Sequence, residues 1–182
     1  MFYNITLITI KLNKMKKILV LLFITVALSS CKQAQQQPID DNPMSGYMLG
    51  EDDYTKRVRG FMKAYTDNNL DPENSIFSDD AVFSVNSTDM SAAEFMSAFG
   101  AGHKFFNNIS HEDVHIATMY YNDGKIYTNV WYDWTGNIKS TGETLKERGY
   151  GWFQWEDNKV IKAYNAFDPT AYNAAIAAQT EN

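Results

Sequence analysis

Cysteine is nearly absent from this chain of 182 residues: there is one, at position 31. A single thiol excludes a disulfide framework and leaves the remainder of the chain without a cysteine nucleophile. Apolar runs are short as well. The run Ile18 to Leu28 has 11 residues, against the ~20 needed to span a bilayer. Positive charge is scarce beyond the first 30 residues, which hold four lysines and no acid; the remainder carries 16 − 4 = 12 basic and 22 acidic groups, net −10. An acidic chain without basic clusters excludes nucleic acid and anionic headgroups as electrostatic partners. There is no glycine-rich phosphate loop, and no Ser–His–Asp order with supporting loops.

The N-terminal segment has a layout of its own. From Met15, a plausible true start, "MKKILVLLFITVALSSCK" places a basic pair before the apolar run and small residues after it, which is the plan of a secretory signal. Leu28-Ser29-Ser30-Cys31 resembles the bacterial lipobox, which implies that Cys31 is diacylated and becomes the first mature residue. Residues 1–30 are therefore expected to be a signal peptide, and 31–49 a lipidated cysteine and flexible tether, polar and glutamine-rich in "KQAQQQPIDDNPMSG". Residues 50–182 form the expected domain. Membrane attachment would come through acylated Cys31 alone. The expected location is the cell envelope, with the outer membrane favoured over the inner because Lys32 rather than aspartate follows the cysteine.

Residues 111–115, "HEDVH", match HExxH, a zinc-protease signature that works only on a helix, where one turn brings both imidazoles to one metal. The sequence that follows, "IATMYY", is β-branched and aromatic, so a strand is expected here. On a strand His111 and His115 stand about 13 Å apart on one face, too far to share a zinc. No metal site and no cofactor are assigned.

Apolar residues at Tyr54, Val58, Phe61, Met62 and Tyr65 recur with helical spacing behind Asp52 or Asp53, predicting a helix over 53–68. Asp71-Pro72 predicts a short helical turn, and "AVFSV" (81–85) a strand. Ser91 and Glu94 have capping-box spacing ahead of Phe95, Met96 and Phe99, and Gly100 and Gly102 weaken the end of that helix. From "VHIATMYY" onward, four β-rich segments alternate with the turns "NDG", "TGN" and "EDN". Asp123-Gly124 as a two-residue turn would pair His115 with Tyr132 and Val114 with Asp133. Asp157-Asn158 would place Arg148 opposite Phe167, near Tyr150 and Asn165. A last helix follows Asp168-Pro169. Helices first and an antiparallel meander after them define an α+β domain.

This order, with "FSDDAVF" and "DNKVIKAYNAFDP", resembles the nuclear transport factor 2-like superfamily over about residues 50–179. That superfamily includes ketosteroid isomerase, scytalone dehydratase and the SnoaL-like cyclases. The resemblance implies a cone-shaped fold, its N-terminal helices packed on a curved antiparallel sheet around a pocket. The ketosteroid isomerase base would fall four residues beyond Ala81, on Val85, which cannot take a proton.

A pocket enzyme needs a general base and an oxyanion donor. The candidates are His115 and Tyr132 as a cross-strand pair, and Asp133, whose aromatic surroundings would raise its pKa. Tyr54, Phe61, Tyr65, Trp131, Tyr150 and Trp152 are candidate ligand-binding aromatics, and Arg148 is a candidate anion contact or stacking partner. Three readings follow. The first is a module that binds a small, largely apolar molecule; the second is an isomerase, cyclase or dehydratase. The third is a structural domain that forms a homodimer through the exposed half of its sheet.

Overall fold

The computed structural model describes residues 40–70 and 76–180. The signal segment, the lipobox with Cys31, the start of the tether and the turn expected at Asp71-Pro72 lie outside the described residues. Among the described residues no helix is long and apolar enough to cross a membrane.

The elements run β1 (Gly46–Leu49), α1 (Asp53–Thr66), β2 (Phe77–Val85), β3 (Thr88–Ser91), α2 (Ala92–Ala101) and a 3-10 turn (Gly102–Lys104). Then come β4 (Phe106–Tyr121), β5 (Ile126–Ile138), β6 (Thr144–Glu156), β7 (Lys159–Phe167) and α3 (Thr170–Thr180). The strands form one seven-stranded sheet in the order β1-β4-β5-β6-β7-β2-β3. The architecture is α+β, a curved, open sheet with helices on its inner face.

Local chemistry sets the helices. Asp52 accepts from Thr55 N while the Thr55 hydroxyl accepts from Asp52 N, a closed capping box. Behind it Val58, Met62 and Tyr65 recur at three- and four-residue spacing and are buried, as the sequence predicts. Ser91 and Glu94 cap α2 in the same way, and Phe95 stacks on Phe83 at 3.5 Å between ring centroids. The Asp168 carboxylate accepts from Thr170 N at the start of α3. The main core gathers Val58, Met62, Phe77, Phe83, Phe95 and Phe153 between the helices and the sheet.

The structure corrects the sequence reading at several points. Residues 46–49, expected in the tether, form edge strand β1, pairing Gly46 with Tyr121 and Leu49 with Thr118. The sheet is mixed rather than antiparallel throughout, because β2 lies parallel to β7. The β4–β5 hairpin is one residue out of the expected register. Tyr121 N donates to Lys125 O and Gly124 N to Tyr121 O, with Gly124 at φ +84°. The loop is thus Asn122-Asp123-Gly124, a β-turn followed by a left-handed glycine. A one-residue slip moves a strand's whole side-chain set to the other face. His115 therefore pairs with Trp131, and Ile116 with Val130.

Two bulges then shift β4 again. Asn108 (φ 51°) and Asp113 (φ 48°) sit at the register breaks. Asp157-Asn158 does form the expected two-residue turn, pairing Glu156 with Lys159, but a break between Gln154 and Trp155 pairs Phe167 with Gly149 instead of Arg148.

Candidate functional site

A cavity of about 280 Å³ lies between the helices and the inner face of the sheet. Phe61, Met62 and Tyr65 of α1 and Phe95 and Phe99 of α2 close it on the helical side. Phe167 and Tyr172 line it from the end of β7 and from α3. Its wall is aromatic, and its polar groups are few.

Those groups come from four neighbouring strands and from α1. Tyr132 on β5 reaches across β6 and donates its hydroxyl to Asn165 Oδ1 on β7, at 2.7 Å. Gly149 makes the crossing feasible: a Cβ there would collide with the Tyr132 ring. Gly151, opposite Asn165, likewise leaves open the space beside it. Asn165 is 6% exposed, and its Nδ2 is buried with no hydrogen-bond partner among the described residues. Reversing the amide would leave the Tyr132 hydroxyl as the unused donor instead, so in either orientation one donor has no acceptor. A buried donor left this way costs about 1–3 kcal/mol.

His111 lies edge-on to Tyr132, with centroids 4.8 Å apart, and against Tyr65 at 5.5 Å. Burial drives its pKa down from 6.5 to about 4, so the ring is neutral at physiological pH. Burial pushes the Tyr132 phenol up to about 12. Glu147, also on the cavity wall, has its carboxyl raised by burial and then by the charge of Asp168. The Tyr65 hydroxyl accepts from Trp134 Nε1 at 2.9 Å, and burial raises its pKa as well. Among the described residues the cavity wall carries no lysine or arginine.

The other expected site residues divide between the two faces. Phe61, Tyr65 and Tyr132 line the cavity. Tyr54 does not: its ring packs on Trp155 at 4.8 Å and its hydroxyl reaches Asn158. His115 points outward, exposed, and bonds Asp113 at 3.0 Å. The bulge at Asp113 puts it on the opposite face from His111, which corrects the expectation that both imidazoles share a face. The HEDVH string lies on a strand and cannot chelate one ion.

Asp133 is also on the outer face, held by Lys146 at 3.1 Å and Arg148 at 3.0 Å. Hydrogen bonds from Arg148 and then Lys146 lower its pKa, the reverse of the expected rise. Arg148 therefore serves Asp133 and no cavity ligand. Trp131, Tyr150 and Trp152 lie on the same outer face, where Trp131 contacts Tyr150 at 5.4 Å. Asn165, Glu147 and His111 were not proposed as cavity residues. The available signal for Asn165 was an amide at an inward position of a strand otherwise filled by Val160, Ala163 and Phe167, where β propensity disfavours it.

No family model matches the chain, and no curated protein does either. Solved structures match in fold. A candidate polyketide cyclase from Xanthomonas campestris pv. campestris superposes with a TM-score of 0.55 at 16% identity, over 67% of this chain and 95% of its own. A candidate isomerase from Bacillus subtilis gives 0.52 at 13% identity, over 67% and 91%. An NTF2-like protein from Burkholderia xenovorans LB400 gives 0.51 at 16%, over 66% and 92%. The chain has the nuclear transport factor 2-like fold.

Proposed function

We propose that the domain binds a small, largely apolar, uncharged molecule carrying one hydrogen-bond acceptor oxygen. The observation that carries this reading is the partnerless Asn165 Nδ2 inside an aromatic cavity. A carbonyl or ether oxygen there supplies the missing acceptor, and the rings of Phe61, Tyr65 and Phe167 cover the apolar body. Anions are disfavoured, because Glu147 is acidic and no lysine or arginine lines the cavity among the described residues. The sequence-level resemblance of Leu28 to Cys31 to a lipobox adds the second half of the reading: an envelope protein tethered through acylated Cys31, in the outer membrane. Binding is tested by extracting the purified protein with organic solvent and comparing melting before and after. Loss of a bound molecule lowers the midpoint by several degrees; an unchanged midpoint and an empty extract would refute the reading.

One observation favours a second reading, an isomerase or cyclase at this same site. Glu147 holds a raised-pKa carboxyl on the wall that also carries Tyr132 and Asn165. In its ionised form it could take a proton from a carbon next to the ligand carbonyl, while the unused donor stabilises the electron pair arriving on oxygen. His115 and Asp133 take no part, since both face outward. Glu147→Gln would then abolish turnover and keep binding; equal turnover in that variant would remove the base.

A further inference from the structure

The outer face of the sheet carries a second recess of about 310 Å³, away from the aromatic cavity, lined by Tyr121, Tyr127, Asn129, Tyr150 and Trp152 with Asp123 and Lys125 at its edge. A row of half-buried rings crosses it. Tyr121 meets Tyr127 at 5.6 Å, Tyr127 meets Trp152 at 5.6 Å, and Trp152 stacks on Tyr164 at 5.9 Å. One ring comes from each of β4, β5, β6 and β7, so the row spans three strand spacings, ~14 Å. Trp131, 45% exposed, extends the surface beside Tyr150.

Asn129 brings an amide to the same recess. The residue is only 7% exposed. Its Oδ1 accepts from the Tyr150 hydroxyl at 2.7 Å, and the side chain lines the recess. Rings and amide are thus offered together.

The charges around the recess are already neutralised. Asp123 bonds Lys125 at 2.6 Å, and Asp133 holds Lys146 and Arg148. Near the recess the outward residues of β5 and β6 are Tyr127, Asn129, Trp131, Tyr150, Trp152 and Gln154, aromatic or amide, and Met44 lines the edge. Such a surface complements a neutral ligand with apolar C–H faces and many hydroxyls, whose C–H groups lie on the rings and whose oxygens meet amide and phenol donors.

We propose that this outer recess is a binding site for a neutral oligosaccharide. The row of four rings matches the reach of a short chain of sugars, and Asn129 fixes its register.

The test is isothermal titration of the purified protein with the hexasaccharides of glucose, xylose, mannose and N-acetylglucosamine. Binding of at least one is expected, weakened about ten-fold or more in Trp152→Ala and largely kept in Trp152→Phe. Should Trp152→Ala fail to fold, Asn129→Ser removes the amide alone and is expected to weaken the same sugar. Absence of binding by all four sugars overturns the proposal, and so does wild-type affinity in the folded variants. Sedimentation analysis giving a stable dimer that Trp152→Ala dissociates would also overturn it, by assigning this face to a second copy of the chain.

Discussion

At Asn165 a single buried N–H decides what the cavity accepts. Replacing the residue with leucine removes both the donor and its cost, and strands only the Tyr132 hydroxyl, so ligand affinity should fall ten- to a hundred-fold, about 1–3 kcal/mol, with little change in melting. Titration of the extracted molecule into Asn165→Leu checks this. His111 predicts a pH response. Its folded pKa is near 4 and its ordinary value 6.5, so between those values the unfolded chain binds a proton that the folded one refuses. Stability from this group is full above 6.5 and declines as pH falls towards 4, by about 2 kcal/mol at pH 5. Asp52, held low, adds its own loss only as pH drops below the ordinary 3.8 of an aspartate. Urea unfolding at pH 7 and pH 5 should show the difference, and His111→Gln should flatten it.

The elements are held by a few cross-links that the fold cannot easily replace. Asp52 caps α1 and also accepts from Tyr120 at 2.8 Å and Thr118 at 3.1 Å on β4, tying helix to sheet. Asp52→Ala removes a cap and leaves the Tyr120 hydroxyl without its acceptor, so it should cost about 1–3 kcal/mol, read as a lower melting point. At Gly149 an alanine would displace the Tyr132 ring and break its bond to Asn165, costing about 1–3 kcal/mol and closing the cavity's polar end. Caps were legible in the sequence because they depend on spacing: Asp52 before a helical rhythm, and Ser91 three residues ahead of Glu94. Strand faces were not. They depend on parity, which the three-residue loop at Asn122 to Gly124 and the left-handed residues Asn108 and Asp113 each reset. That is why His115 was expected where His111 stands, and why Asp133 and Arg148 were expected near the cavity and lie on the outer face as an ion pair.

For the molecule as a whole, the inner and outer faces of one sheet divide the chemistry. The inner face, with Tyr132, Glu147 and Asn165, closes an aromatic cavity against Phe61 and Tyr65 of α1. The outer face carries paired charges and a row of half-buried rings. The nuclear transport factor 2-like fold was legible because element order survives local register errors; the site needed side-chain directions, which element order does not carry. The most direct test of the cavity's role is native mass spectrometry of the purified protein beside Asn165→Leu. A neutral organic adduct on the wild type, reduced or lost in the variant, is the predicted result. An unadorned wild-type mass, or an adduct of equal occupancy in both proteins, would contradict it.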